Sequence, residues 1–259
     1  MAVWAKIRMY YKTMLGSSGS SISATSTADG DYSIDYIYNW LEINFWKSAN
    51  ITTPMYISYD AGSGNTKTAD YLAIIGHNLK TCGATIGLQY SSDDTTYYDC
   101  FTAFAVVDDK VILKEFTSPG AYRYWRLAIT GTLSVVPFLA ICVWGDKTEL
   151  DYATASFDPH EQNIKANIGV SQGGYVTGVH ISYVTRELDL KFNDSDSTFY
   201  DKIKTWWDNH GIKNFFIAWD ITNNPTEVYL MRAKEKISNP FNQTGIMRDI
   251  NLSLTGRKE

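Results

Sequence analysis

The chain has 259 residues, with 23 Lys and Arg against 28 Asp and Glu, for a formal net charge of −5. That length holds two ordinary domains and lets each bury a core without metal or disulfide help. The acidic balance and the lack of a long basic run exclude a nucleic-acid surface. Cys82, Cys100 and Cys142 are an odd number without close spacing. They read as free thiols, with no disulfide framework or zinc knuckle expected. Lys6, Arg8 and Lys12 interrupt the first fifteen residues, and Leu133–Val143 is short and broken by Pro137. No leader and no membrane insertion are therefore expected.

Residues 3–12 alternate, with Ala5, Ile7, Met9 and Tyr11 on one face and Lys6, Arg8, Tyr10 and Lys12 on the other. Period 2 predicts a strand with one wet face. Gly16-Ser17-Ser18-Gly19-Ser20-Ser21 has the composition of a flexible linker. Residues 1–21 thus read as an N-terminal strand and linker, the strand docking in the second domain or on a neighbouring subunit.

Residues 22–146 read as a β-sandwich. Trp40–Trp46 forms a strand or an aromatic-rich turn. Met55, Ile57 and Tyr59 alternate into the turn Asp60–Asn65, and Leu72, Ile74 and Ile75 form a buried run. Ile86, Leu88 and Tyr90 alternate before the turn Ser91–Asp94. Trp125, Leu127 and Ile129 share an apolar face, and Phe138–Trp144 gives the last strand. Short strands at this spacing predict a sandwich or barrel. Residues 147–182 are weakly patterned and read as a linker.

Residues 183–259 change character. Leu188, Leu190 and Phe192 alternate inward, then a helix is predicted over 197–209 with Phe199, Ile203 and Trp206 on one stripe. Asp196 or Ser197 caps its start and Gly211 ends it. Strands follow at Phe215–Trp219, Glu227–Arg232 and Asp249–Thr255. The fold class is mainly β: a jelly-roll sandwich followed by a smaller β-sandwich unit with one α-helix.

Two resemblances arise from ordered motifs. Ser23-Ala24-Thr25-Ser26, Trp46, Ile57–Gly62, Ile75–Asn78, Gln89–Asp93 and Tyr122–Arg126 together resemble the discoidin-like (galactose-binding-like) family over residues 22–146. The cysteine pair that closes its secreted members is absent. The resemblance implies a module that binds or positions something and does no chemistry. Arg186–Leu190, the helix 197–209, Asn214–Trp219 and Asp249–Leu254 resemble the sandwich-plus-helix of phage tail-tube and distal-tail proteins. Together they imply a virion structural protein at a phage tail tip, made in the host cytoplasm. Its implied partners are the tail tube, the hub, further copies of itself in a sixfold ring, and a host-surface glycan.

No catalytic residue, metal site or cofactor is expected. His77, His160, His180 and His210 are isolated, and no nucleophile elbow exists. Asp93-Asp94 and Asp108-Asp109 lie in predicted turns and are the sole motive for a glycan-degrading enzyme. Trp46, Tyr97 and Tyr98 are candidates for stacking on a sugar ring, the basis of a competing reading as a carbohydrate-binding adhesin. Ile7, Met9, Tyr11 and Trp207 are candidate subunit-interface residues.

Overall fold

A computed structural model describes residues 4–234, 236–242 and 245–258. The chain separates into two compact units, Tyr10–Thr148 and a discontinuous unit of Met1–Met9 with Glu149–Glu259. It is mainly β, as expected: a sandwich of two antiparallel sheets, and a second β unit carrying one long helix. The sandwich is inserted into the second unit rather than preceding it.

The first strands are β1 (Arg8–Tyr10), β2 (Ser21–Ala24), β3 (Trp46–Lys47), β4 (Met55–Asp60), β5 (Tyr71–His77) and β6 (Thr85–Ser91). There follow β7 (Tyr98–Asp99), β8 (Phe104–Ala105), β9 (Ile112–Glu115), β10 (Tyr124–Thr130) and β11 (Phe138–Gly145). One sandwich sheet has the order β2-β4-β10-β6-β7, with β8 also on β6; the other is β3-β11-β5-β9. The expected alternation sets the faces. Met55, Ile57, Tyr59, Trp125, Leu127 and Ile129 are all at most 1% exposed, and β10 aligns them across β4 with Leu127 opposite Ile57. On the second sheet β5 and β11 bury nearly every side chain.

Two expectations about residues 1–21 are corrected. The Gly/Ser-rich segment 16–21 is ordered: Ser17 N–H donates to Met14 O, Ser20 N–H donates to Ser17 O, and Ser21 pairs with Asp60. Gly62, at φ +89°, lies so close that a Cβ there would sit 2.4 Å from Gly19 O, so small residues serve contact here, not freedom. The predicted strand over 3–12 contracts to Arg8–Tyr10, and Val3 lies outside the described residues.

The second unit contains β12 (Thr148–Glu149), β13 (Gln162–Val170), β14 (Val176–Ser195), helix α2 (Ser197–Asn209), β15 (Phe215–Ala218), β16 (Val228–Ala233) and β17 (Arg248–Arg257); α1 is a four-residue turn of helix at Leu79–Cys82 in the sandwich. The sheet runs β12-β1-β15-β16-β17-β14-β13. Leu188, Leu190, Leu252 and Leu254 pair across β14 and β17 and are buried. Helix α2 covers this core, with Phe199 4.9 Å from Phe192 and Trp206 5.2 Å from Phe215, centroid to centroid. Asp196 Oδ1 caps α2 by accepting Phe199 N–H at 2.7 Å, and Gly211 follows it at φ +57°, the sequence signals for both ends. Half of the expected linker 147–182 is strand, because β13 pairs with β14 along its whole length.

Two stability predictions arise. Trp125→Ala removes a fully buried indole, so urea unfolding of the sandwich should lose about 3–5 kcal/mol; a loss under 1 kcal/mol would contradict this packing. His210, whose Nε2 lies 2.6 Å from Asn214 O, has its imidazole lowered from 6.5 to about 4 by burial. Its neutral form therefore contributes stability that is complete above pH 6.5 and lost as pH falls toward 4. The stability difference between wild type and His210→Gln should change with pH only in that window; parallel profiles would refute the assignment.

Candidate assembly surface

N-terminal to Arg186, β14 leaves the core and forms with β13 a hairpin that no other described segment covers. Cross-strand neighbours share a face. One face carries the pairs Ile164 with Val184, Ala166 with Ile181, Ile168 with Val179, and Val170 with Val176. The other carries Asn163 with Thr185, Lys165 with Tyr183, and Asn167 with His180. The hairpin is thus fully amphipathic.

Two bulges produce this result. The register shifts between Lys165 and Ala166 and between Gly169 and Val170, leaving Ser182 and Thr177 as extra residues on β14. Each shift moves the following β14 residues to the opposite face. Without them, β14 would set Ser182, His180 and Gly178 opposite the β13 apolar row. With them, the row is continuous and joins the side of the sheet that holds Leu188, Leu190 and Phe192. The turn is well formed: Ser171 N–H donates to Tyr175 O, and Gly174 N–H donates to Ser171 O.

Among the described residues nothing covers the apolar row. Ile164, Ile168, Val170, Val176, Val179 and Ile181 are 54% to 63% exposed. β13 is also an end strand of its sheet. It presents a nine-residue edge with one charged side chain, Lys165, and no proline. Exposed, apolar edges of this kind pair with another chain unless blocked. Fully covering the six side chains is worth on the order of 5–10 kcal/mol.

The expected interface residues lie elsewhere. Ile7, Met9 and Tyr11 are 2%, 0% and 6% exposed, so their side chains are spent inside their own chain. Within the second unit, Ala5 N–H donates to Asp220 Oδ1, Leu150 N–H donates to Ile7 O, and Arg8 pairs with Glu149. The N-terminal segment therefore docks in cis on the second domain. Trp207 is half-buried and packs edge-on to Trp206 at 6.0 Å.

The expected glycan platform is not assembled either. Trp46 is 1% exposed and donates its Nε1–H to Thr27 Oγ1 at 3.0 Å, which makes it a core residue. Tyr97 and Tyr98 are adjacent and face opposite ways. Tyr98 packs near Tyr90, which is aligned with Trp125; Tyr97 lies over Arg126 on the outer face of the same sheet. No flat surface contains both rings.

The loop carboxylates build turns. Asp93 Oδ1 accepts Thr96 and Thr95 N–H, and these bonds with that from Ser91 hold its carboxyl well below the usual range. Asp109 accepts Lys80 N–H and both N–H and Oγ1–H of Thr81. His77 Nδ1 accepts Leu79 N–H, so its 3.7 Å approach to Asp109 joins a neutral ring to a carboxylate. Nε2–H then donates to Lys110 O at 2.7 Å, and burial lowers the imidazole further from protonation. Among the described residues, no group of three or more His, Cys, Asp or Glu is placed to hold a metal ion, and no helix is long and apolar enough to cross a membrane.

No family model and no curated protein matches the sequence. Several solved structures align with about half of it. A Ruminococcus gnavus GH29 fucosidase in complex with fucose is similar at 13% identity and TM-score 0.46, over 54% of this chain and 28% of that one. A Clostridium perfringens module, CpGH89CBM32-5, in complex with GalNAc-β-1,3-galactose is similar at 12% identity and TM-score 0.41, over 49% of this chain and 95% of that one. Chitosan-binding module 1 of a chitosanase/glucanase from Paenibacillus sp. IK-5 is similar at 15% identity and TM-score 0.41, over 51% and 98%. The chain spans less than a third of the fucosidase's length. The fold described above rests on sheet order and register, not on these likenesses.

Proposed function

We propose that the chain is a structural protein that assembles with copies of itself through the β13–β14 hairpin. The observation that carries this reading is the continuous apolar row at Ile164–Val170 and Val176–Val184. A second copy is the occupant best matched to it. An edge strand accepts another strand by main-chain hydrogen bonds, and an apolar row accepts another apolar surface. Its expected worth is comparable with the cost of association, about 4–15 kcal/mol. A single such contact is therefore weak, and a closed ring, which needs the edge to meet a different surface of the next copy, holds every copy on two sides.

In this reading the hairpin edge of each copy lies against a different surface of the next, which gives a head-to-tail ring. Sixfold closure is the expected copy number. Placement at the tip of a phage tail, between tube and hub with the sandwich as a displayed module, is proposed from the sequence resemblance of residues 186–254 alone. In that position the chain would be part of the virion, and it would carry no chemistry of its own.

Charge on the apolar row should abolish assembly without harming the fold. The double substitution Ile168→Asp and Ile181→Asp is expected to convert a concentration-dependent ring into a monomer by light scattering, with thermal unfolding of the monomer within about 0.5 kcal/mol of wild type. Rings that persist in the double variant would overturn the proposal, as would a wild-type chain that stays monomeric at every concentration, alone or with tail tubes.

A further inference from the structure

The outer face of the β2-β4-β10-β6-β7 sheet is polar except around Arg126. Arg126 lies between the inward residues Trp125 and Leu127 and so points outward, aligned with Ser58 on β4 and Gln89 on β6. Its guanidinium lies over two tyrosine rings. The Cζ atom is 4.0 Å from the Tyr56 ring centre and 3.5 Å from that of Tyr97.

The edge of the group is fixed as well. Nε–H donates to Gln89 Oε1 at 2.7 Å, and Gln89 Nε2–H donates to Asp99 Oδ1 at 2.8 Å, which sets the amide so that its oxygen faces Arg126. Tyr97 is held from behind, its hydroxyl donating to Asp94. Asp94 adopts φ +61°, a conformation unusual for a residue with a side chain, inside a turn closed by Ser91 Oγ. Five side chains on three strands and a strained loop thus immobilise one half-buried cation.

Among the described residues no carboxylate lies within ion-pair distance of Arg126, whereas Arg123, three residues earlier, makes a two-point pair with Asp60 at 2.7 and 2.9 Å. Bracing a sheet would be met by the paired arrangement. A stacked guanidinium with Nε engaged presents its two Nη groups as a ready fork of parallel donors, the geometry that accepts two oxygens of a carboxylate or phosphate.

We propose that Arg126, clamped by Tyr56 and Tyr97 and oriented by Gln89, is a binding site for an oxyanion: the carboxylate of an acidic sugar, or a phosphate on a surface polymer. Tyr97, half-buried, leaves part of its ring at the rim for the carbon skeleton that carries the anion. Asp94 and Asp99 temper the local potential, so single-site affinity is weak and is amplified by multiple copies. The site stands on the sandwich alone and does not depend on how the chain assembles.

The test is titration of the full-length protein with trigalacturonate, its uncharged methyl ester, and glycerol 1-phosphate, followed by ¹⁵N NMR of arginine side chains. Trigalacturonate should bind and shift the Arg126 Nη signals, the methyl ester should not, and added salt should weaken binding. Arg126→Gln should lose about tenfold or more, with Arg126→Lys between it and wild type because it keeps the charge without the fork. Glycerol 1-phosphate binding in place of the uronate would keep the oxyanion site and assign its source to phosphate. Three results would overturn the proposal: no binding of either anion, equal binding of acid and ester, or Arg126 signals unmoved by a bound anion. The NMR readout uses the wild-type chain, so a misfolded variant does not blunt the test.

Discussion

An apolar row left open to water governs how this chain is best understood. Six Val and Ile side chains more than half exposed on an unblocked edge hairpin are costly for an isolated molecule. Ordinary edge strands carry charges, prolines or outward bulges that prevent pairing. Here the two bulges do the reverse. They correct the parity of β14 so that Val184, Ile181, Val179 and Val176 all reach the side occupied by Ile164, Ala166, Ile168 and Val170. An amphipathic ribbon with one consistent apolar face is a surface shaped for a partner, and the core row Leu188, Leu190 and Phe192 supplies its rigid base.

The insertion of the sandwich fits beside that constraint. The chain begins the second unit with residues up to Met9, passes through the sandwich, and returns at Glu149. Entry and exit are fixed by close backbone contacts within the sandwich. Met14 N–H donates to Trp144 O, Tyr71 donates its hydroxyl to Lys12 O, and a Cβ on Gly145 would sit 2.2 Å from Lys12 O. The same sandwich presents, on its outer face, a guanidinium immobilised by two tyrosines and an amide.

Much of the fold was legible in the residues, for a simple reason. Period 2 in Met55–Tyr59 and Trp125–Ile129, and period 3.6 in Phe199–Trp206, report burial on one side, and these segments bury the expected faces. Asp196 and Gly211 mark the ends of α2 because capping is local chemistry. What escaped was set by contacts distant in sequence. Segment 16–21 has linker composition, yet Gly19 is packed against Gly62. Trp46 looked available and is buried. Tyr97 and Tyr98 looked like a pair and are divided by the pleat. The hairpin carried a signal in Ile164, Ala166, Ile168 and Val170, but bulges at Thr177 and Ser182 break the matching alternation on β14. The loss of regular periodicity on β14 therefore hid the most consequential surface.

Hydrogen exchange on the full-length protein at low and high concentration tests the central claim most directly. In dilute monomer, the β13 amides that point away from β14 should exchange rapidly, while those of β17 remain protected. In the assembled fraction, the outward amides of Gln162–Val170 should become protected together with the hairpin's apolar face. Rapid exchange of those amides in a fraction of ring mass would show that the ring is held elsewhere and would contradict the account.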